Sequence, residues 1–129
     1  MVIINNGELL IEFANLIHNA HIQIFVWVVL FDILTGLCKG IFVKDANSTK
    51  GLLGVVKHLL VTMLILVAYP YLKILGFETI ATTFVWFYIA MYGISITENF
   101  GQLGLPIPDW VKDRLSKLQD TTNKNQKKD

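Results

Sequence analysis

The chain has 129 residues, of which 53% are hydrophobic and only 16% charged, where soluble domains carry about a quarter charged. A domain this small leaves much of its surface facing its solvent, so an apolar excess of this size excludes an ordinary water-soluble fold and makes the solvent lipid. The net charge of +1 gives no basis for nucleic-acid binding, and a single cysteine, Cys38, excludes an intrachain disulfide. The first 21 residues contain no Lys or Arg, unlike the positive start of a secretory signal peptide.

The first predicted element is an amphipathic helix over 7–20. Leu9, Leu10, Phe13, Leu16, Ile17 and Ala20 fall on one face and Glu8, Glu12, Asn15 and Asn19 on the other. This is the period of a half-buried helix, with Asn5 or Asn6 as its cap. Such a helix lies in the membrane interface. Its polar face is acidic and not drawn to anionic lipid, so packing against sister subunits is an equal alternative.

Three apolar stretches follow, over 22–43, 59–75 and 79–100, each near the ~20 residues a helix needs to cross a bilayer. Runs such as Phe25-Val26-Trp27-Val28-Val29-Leu30-Phe31 do not alternate polar and apolar, which excludes the strands of a membrane barrel. Pro70 lies near the end of the second stretch and predicts a kink or an early stop. Tyr69 and Tyr71 on either side fit an interfacial aromatic belt.

After the third stretch, Gly104-Leu105-Pro106-Ile107-Pro108 forms a rigid turn. Asp109 then caps a short amphipathic helix over 109–119 with Val111, Leu115 and Leu118 on one side. The polar, lysine-containing tail over 120–129 is expected to be disordered. The chain thus reads as one all-α membrane domain, with three transmembrane helices between an N-terminal and a short C-terminal amphipathic helix.

Orientation follows from the basic residues. Lys39, Lys44, Lys50 and Lys57 surround the first loop, and Lys112, Arg114, Lys117, Lys124, Lys127 and Lys128 follow the third span. The N-terminal segment has none, and the second loop has only Lys73. The positive-inside rule places the first loop and the C-terminus in the cytoplasm and the N-terminus outside.

The candidate functional residues lie inside the spans. Asp32, Thr35, Gly36, Lys39 and Gly40 occur at i, i+3, i+4, i+7 and i+8, one face of one helix. Gly36 and Gly40 form a small-xxx-small pair that permits close helix contact. An Asp at mid-span costs about 2.5–3.5 kcal/mol on insertion scales, so it avoids lipid. Two readings stay open: a hydrogen bond that holds a bundle together, or a stripe for self-association or a water-filled lumen. A weaker stripe in the third span comprises Tyr88, Tyr92, Ser95 and Asn99, with Glu98 at its cytoplasmic end. Three helices enclose no sizeable pore alone, so such stripes are better satisfied by several copies side by side.

Chemistry is not in view. His18 and His21 are three apart but lack companions to complete a metal site. Cys38 and His58 lack the orienting group and oxyanion donors of a nucleophile pair. No phosphate loop or dinucleotide fingerprint is present. No enzyme activity and no cofactor is expected.

Asp32-Ile33-Leu34-Thr35-Gly36 followed by Lys39 resembles the D-x-x-T-G signature of the toxin-secretion/phage-lysis holin family. Asn47-Ser48-x-Lys50-x-x-x-Gly54-x-x-Lys57 is similar to that family's first loop, and Glu98-Asn99 with Gly104-Leu105-Pro106-Ile107-Pro108 to the segment after its last span. The resemblance covers roughly residues 25–115. It implies a bacteriophage holin that accumulates in the host cytoplasmic membrane, homo-oligomerises into lesions, collapses the membrane potential and lets an endolysin reach the cell wall; relatives export toxins in the same way. The next methionine after Met1 is Met63, inside the second span, so a second start giving an inhibitor form is not expected. The alternative from a different class is a non-lytic membrane scaffold or an accessory subunit of a transporter.

Overall fold

The structure, a computed structural model, describes residues 4–42 and 48–128. Five α-helices follow in order: α1 over Asn6–Asn15, α2 over Ala20–Phe42, α3 over Ser48–Ile74, α4 over Glu78–Gln102 and α5 over Asp109–Gln126. No strand occurs among the described residues. The helices α2, α3 and α4 have 23, 27 and 25 residues, and all three are long and apolar enough to cross a membrane. At ~1.5 Å per residue each exceeds the ~30 Å hydrocarbon core. Val43, expected to end the first span, and Lys44 and Asn47 of the first loop lie outside the described residues.

The N-terminal amphipathic helix does not run to residue 20. Asn5 starts it, its side chain accepting from the Gly7 N–H at 2.8 Å. It gives way to a 3₁₀ turn over Leu16–His18. Asn19 is extended, and its side-chain oxygen accepts from the N–H groups of His21 (3.0 Å) and Ile22 (3.3 Å). An asparagine used this way begins a new helix instead of continuing the old one. The Asn19 amide also donates to the Tyr69 hydroxyl at 3.0 Å, tying the start of α2 to α3.

The polar face of α1 is also only partly turned to solvent. Glu12 pairs with Lys73 of α3 at 3.0 Å, and Phe13 meets the Tyr71 ring edge-on. Leu10, Ile11 and Ile17 remain exposed and suit a helix lying against lipid. Tyr69 is a core residue at 4% exposure, so of the two tyrosines beside Pro70 only Tyr71 stays at the surface.

Pro70 neither ends nor shortens α3, which continues to Ile74. The helix starts at Ser48, eleven residues before the apolar stretch at Leu59, because Lys50, Lys57 and His58 are compatible with helix even though they interrupt the hydropathy. It stops at Gly76, which has φ +85°. There the N–H of Phe77 bonds to the Leu72 carbonyl at 2.7 Å and that of Gly76 to Lys73 at 3.1 Å. Gly104, at φ +75°, ends α4 in the same way, with Leu105 bonded to Phe100 and Gly104 to Gly101. This pattern satisfies the last carbonyls and needs a residue free to adopt left-handed φ.

The residues from 120, expected to be disordered, continue α5 to Gln126. The segment Asp109–Gln126 contains no Gly or Pro, and Thr121 bonds back to the Lys117 carbonyl at 2.9 Å, so nothing local stops the helix at Gln119.

The spans pack with α2 mainly against α4 and α3 alongside both. Ile22, Phe25 and Val29 of α2, Ala81, Val85 and Tyr92 of α4, and Ile65 and Tyr69 of α3 form the buried core. Their spacings of three, four and seven place them on one stripe of each helix. Trp27, Leu30, Phe31, Leu34, Met63 and Phe84 point outward, where lipid is a solvent as apolar as they are.

Candidate functional site

The α2 stripe that buries Ile22, Phe25 and Val29 continues with polar residues. Asp32 is 3% exposed and Thr35 is 8% exposed. Opposite them on α4 sits Asn99, 6% exposed. Its amide donates to Thr35 Oγ1 at 3.0 Å and to Asp32 Oδ1 at 3.4 Å. The Thr35 hydroxyl also donates to the Asp32 carbonyl at 3.2 Å. Asp32 therefore faces a neighbouring helix of the same protomer.

The third helix completes the seam. His58 Nε2 lies 3.4 Å from Asp32 Oδ2, and its Nδ1 lies 3.1 Å from the Tyr92 hydroxyl. A neutral ring with its proton on Nε2 donates to Asp32 and accepts from Tyr92; a protonated ring makes an ion pair with Asp32. One turn on, the Thr62 hydroxyl donates to the His58 backbone carbonyl at 2.8 Å, the usual back-bond of a helical threonine. Tyr92 in turn packs edge-on against Phe25. A carboxylate, an amide, an imidazole and a phenol from three spans thus satisfy one another, as polar groups inside a membrane must. Asp32, Asn99 and Tyr92 are buried, and the His58 side chain is 30% exposed at the cleft.

Of the predicted residues, Asp32, Thr35, Tyr92 and Asn99 come together in this seam. Gly36 borders it: a Cβ there would lie 3.8 Å from the Asn99 amide nitrogen. Lys39, Gly40 and Ser95 line an open cleft of about 850 Å³ that leads down to Asp32, His58 and Asn99. Tyr88 packs against the core and meets Phe87 edge-on without bonding to the seam, and the half-buried Glu98 takes no part in it among the described residues. The sequence offers His58 only as a partner for Cys38. Hydropathy begins the second span only at Leu59, one residue after His58, although the His58 ring reaches Asp32 and Tyr92. Among the described residues no cluster of His, Cys, Asp or Glu could hold a metal.

These features define a class: a multi-pass membrane protein of three helices with a polar seam closed inside the protomer. The chain belongs to the bacteriophage holin family, which it matches over residues 11–120. It is 36% identical over 103 residues to a "Probable holin" of Bacillus phage phi105, covering 78% of this chain and 75% of that one. An uncharacterised protein of Clostridium perfringens is 37% identical over 97 residues, covering 74% and 72%, and one of Bacillus subtilis is 32% identical over 100 residues, covering 77% and 71%. No solved structure matches the chain.

Proposed function

We propose that the protein is a lytic holin whose protomer accumulates in the host cytoplasmic membrane with its polar seam closed, and whose copies then homo-oligomerise with the seam opened toward water. The carrying observation is that Asp32, Thr35, Asn99, His58 and Tyr92 satisfy one another within a single chain. A closed seam lets a chain with a mid-membrane carboxylate sit in lipid without conducting. Interhelical hydrogen bonds in membranes average only ~0.6 kcal/mol, so a few of them make a latch that neighbours can compete with. Once α2 separates from α4, Asp32, Thr35, Gly36, Lys39 and Gly40 form a continuous polar and small-residue stripe, with Tyr92, Ser95 and Asn99 as its counterpart. Several copies side by side turn such stripes toward a shared aqueous lesion.

The lesion dissipates the membrane potential and lets an endolysin, or an exported toxin, cross. The protein needs no cofactor or catalysis for this, only the bilayer and copies of itself. Family membership and the likeness to the phage phi105 protein support this reading, and the lysine distribution supports an N-terminus outside and a C-terminus in the cytoplasm. Induced expression in bacteria carrying a potential-sensitive dye tests it. A holin leaves the potential intact for a delay and then collapses it abruptly. A potential that holds at high membrane abundance would refute the lytic role in favour of the scaffold.

A further inference from the structure

The cleft between the last turns of α2 and the first turns of α3 reaches the seam at Asp32, His58 and Asn99, but its remaining lining takes no part in the seam. Lys39 of α2 and Lys50 of α3 stand at its mouth, and neither has a carboxylate partner among the described residues. Gly36, Gly40, Gly51 and Gly54 leave the space between the helices open, and a Cβ at Gly40, Gly51 or Gly54 would meet nothing within 4 Å. Leu37 and Ile41 of α2 and Leu52 and Val55 of α3 give the cleft apolar lining. At about 850 Å³ the cleft falls within the roughly 300–1,000 Å³ of small-ligand sites.

We infer that this cleft binds an anionic phospholipid, with its phosphate between Lys39 and Lys50 and the upper part of its acyl chains against the apolar walls. Basic recesses between membrane helices at one bilayer surface suit such headgroups, and the two walls offer the lipid chains what bulk lipid offers. Asp32 does not oppose the phosphate. It lies seven residues below Lys39, about 10 Å along the helix, and is bonded to Asn99 and His58. A second copy fits less well, because a two-fold contact at this mouth brings both pairs of lysines together. The inference rests only on the protein's residence in a membrane, so its failure would leave the lytic reading untouched.

The test uses the full-length protein in phosphatidylcholine vesicles, with spin-labelled phosphatidylglycerol or phosphatidylcholine of matched chains as the probe. Phosphatidylglycerol should be motionally restricted in preference to phosphatidylcholine. Lys39→Gln with Lys50→Gln should reduce that preference by about fivefold for each lysine. Gly54→Leu, which fills the cleft and keeps its charge, should abolish it, whereas Lys112→Gln with Lys117→Gln on α5 should leave it unchanged. Helical circular dichroism of each variant separates lost binding from lost fold. Equal restriction of both lipids by the wild type would overturn the inference, as would a preference that survives both cleft variants. Release of the lipid by millimolar inorganic phosphate would make this a site for soluble phosphate instead. Efficient disulfide crosslinking between copies of a Gly54→Cys, Cys38→Ser variant in phosphatidylglycerol vesicles would give the cleft to a second protomer and equally overturn it.

Discussion

Asn99 carries more of the seam than its neutral charge suggests, because one amide serves both Asp32 and Thr35. Asn99→Ala should weaken the closed protomer by about 1 kcal/mol, from two interhelical bonds of ~0.6 kcal/mol each. Lysis should then begin earlier at matched membrane abundance; an unchanged or later onset would deny the seam a restraining role. Asp32→Asn isolates charge from hydrogen bonding, since the amide can still pair with its neighbours. A shifted lysis time marks a carboxylate that comes to face water or the membrane field, and a silent variant marks one that only bonds a neighbour. At Gly36 the space is graded: a methyl group lies at ordinary contact distance, 3.8 Å from Asn99, and a leucine reaches past it. Gly36→Ala should lyse close to the wild-type time. Gly36→Leu should insert normally but crowd Asn99 and loosen the closed seam, so that lysis begins earlier, as with Asn99→Ala; an unchanged onset would deny Gly36 a place beside the restraint. Helical spacing made Asp32, Thr35 and Gly36 legible as one face, because periodicity within a helix is fixed by its geometry. It carried no information on which neighbour that face meets, so neither the Asn99 contact nor the His58 contact followed from it.

At the scale of the elements, the long apolar runs made the three spans readable, because only helices satisfy the backbone through the hydrocarbon core. The ends were less readable. The start of α3 at Ser48 crosses two lysines that hydropathy treats as loop, and the docking of α1 depends on Glu12 meeting Lys73, distant in sequence. The tail of α5 poses a functional question of its own. Truncation after Gln119 removes Lys124, Lys127 and Lys128, each able to attract anionic headgroups by about 1 kcal/mol near the surface. Lysis should persist with a shifted onset. Its complete loss at normal membrane levels would make the C-terminal turns of α5 part of the assembly.

For the whole molecule, the proposed topology has three spans with the termini on opposite sides of the membrane, and the lysine distribution favours an N-terminus outside. In a Cys38→Ser background, Asn6→Cys should react with a membrane-impermeant thiol reagent on intact cells, and Asn123→Cys should not. The reverse pattern would invert the topology. In the proposed mechanism α2 and α4 must part before the membrane is breached, and a reversible lock tests this most directly. Thr35→Cys with Asn99→Cys, again with Cys38→Ser, replaces a contact of 3.0 Å between side-chain atoms by a pair that an oxidant can join. Membrane potential is then followed in induced cells, first oxidised and afterwards given a permeant reductant. Oxidised cells whose single-chain disulfide is verified should keep their potential and lose it promptly on reduction. Depolarisation on the reduced schedule while the disulfide is intact would show that the seam stays closed in the lesion, and would contradict the claim.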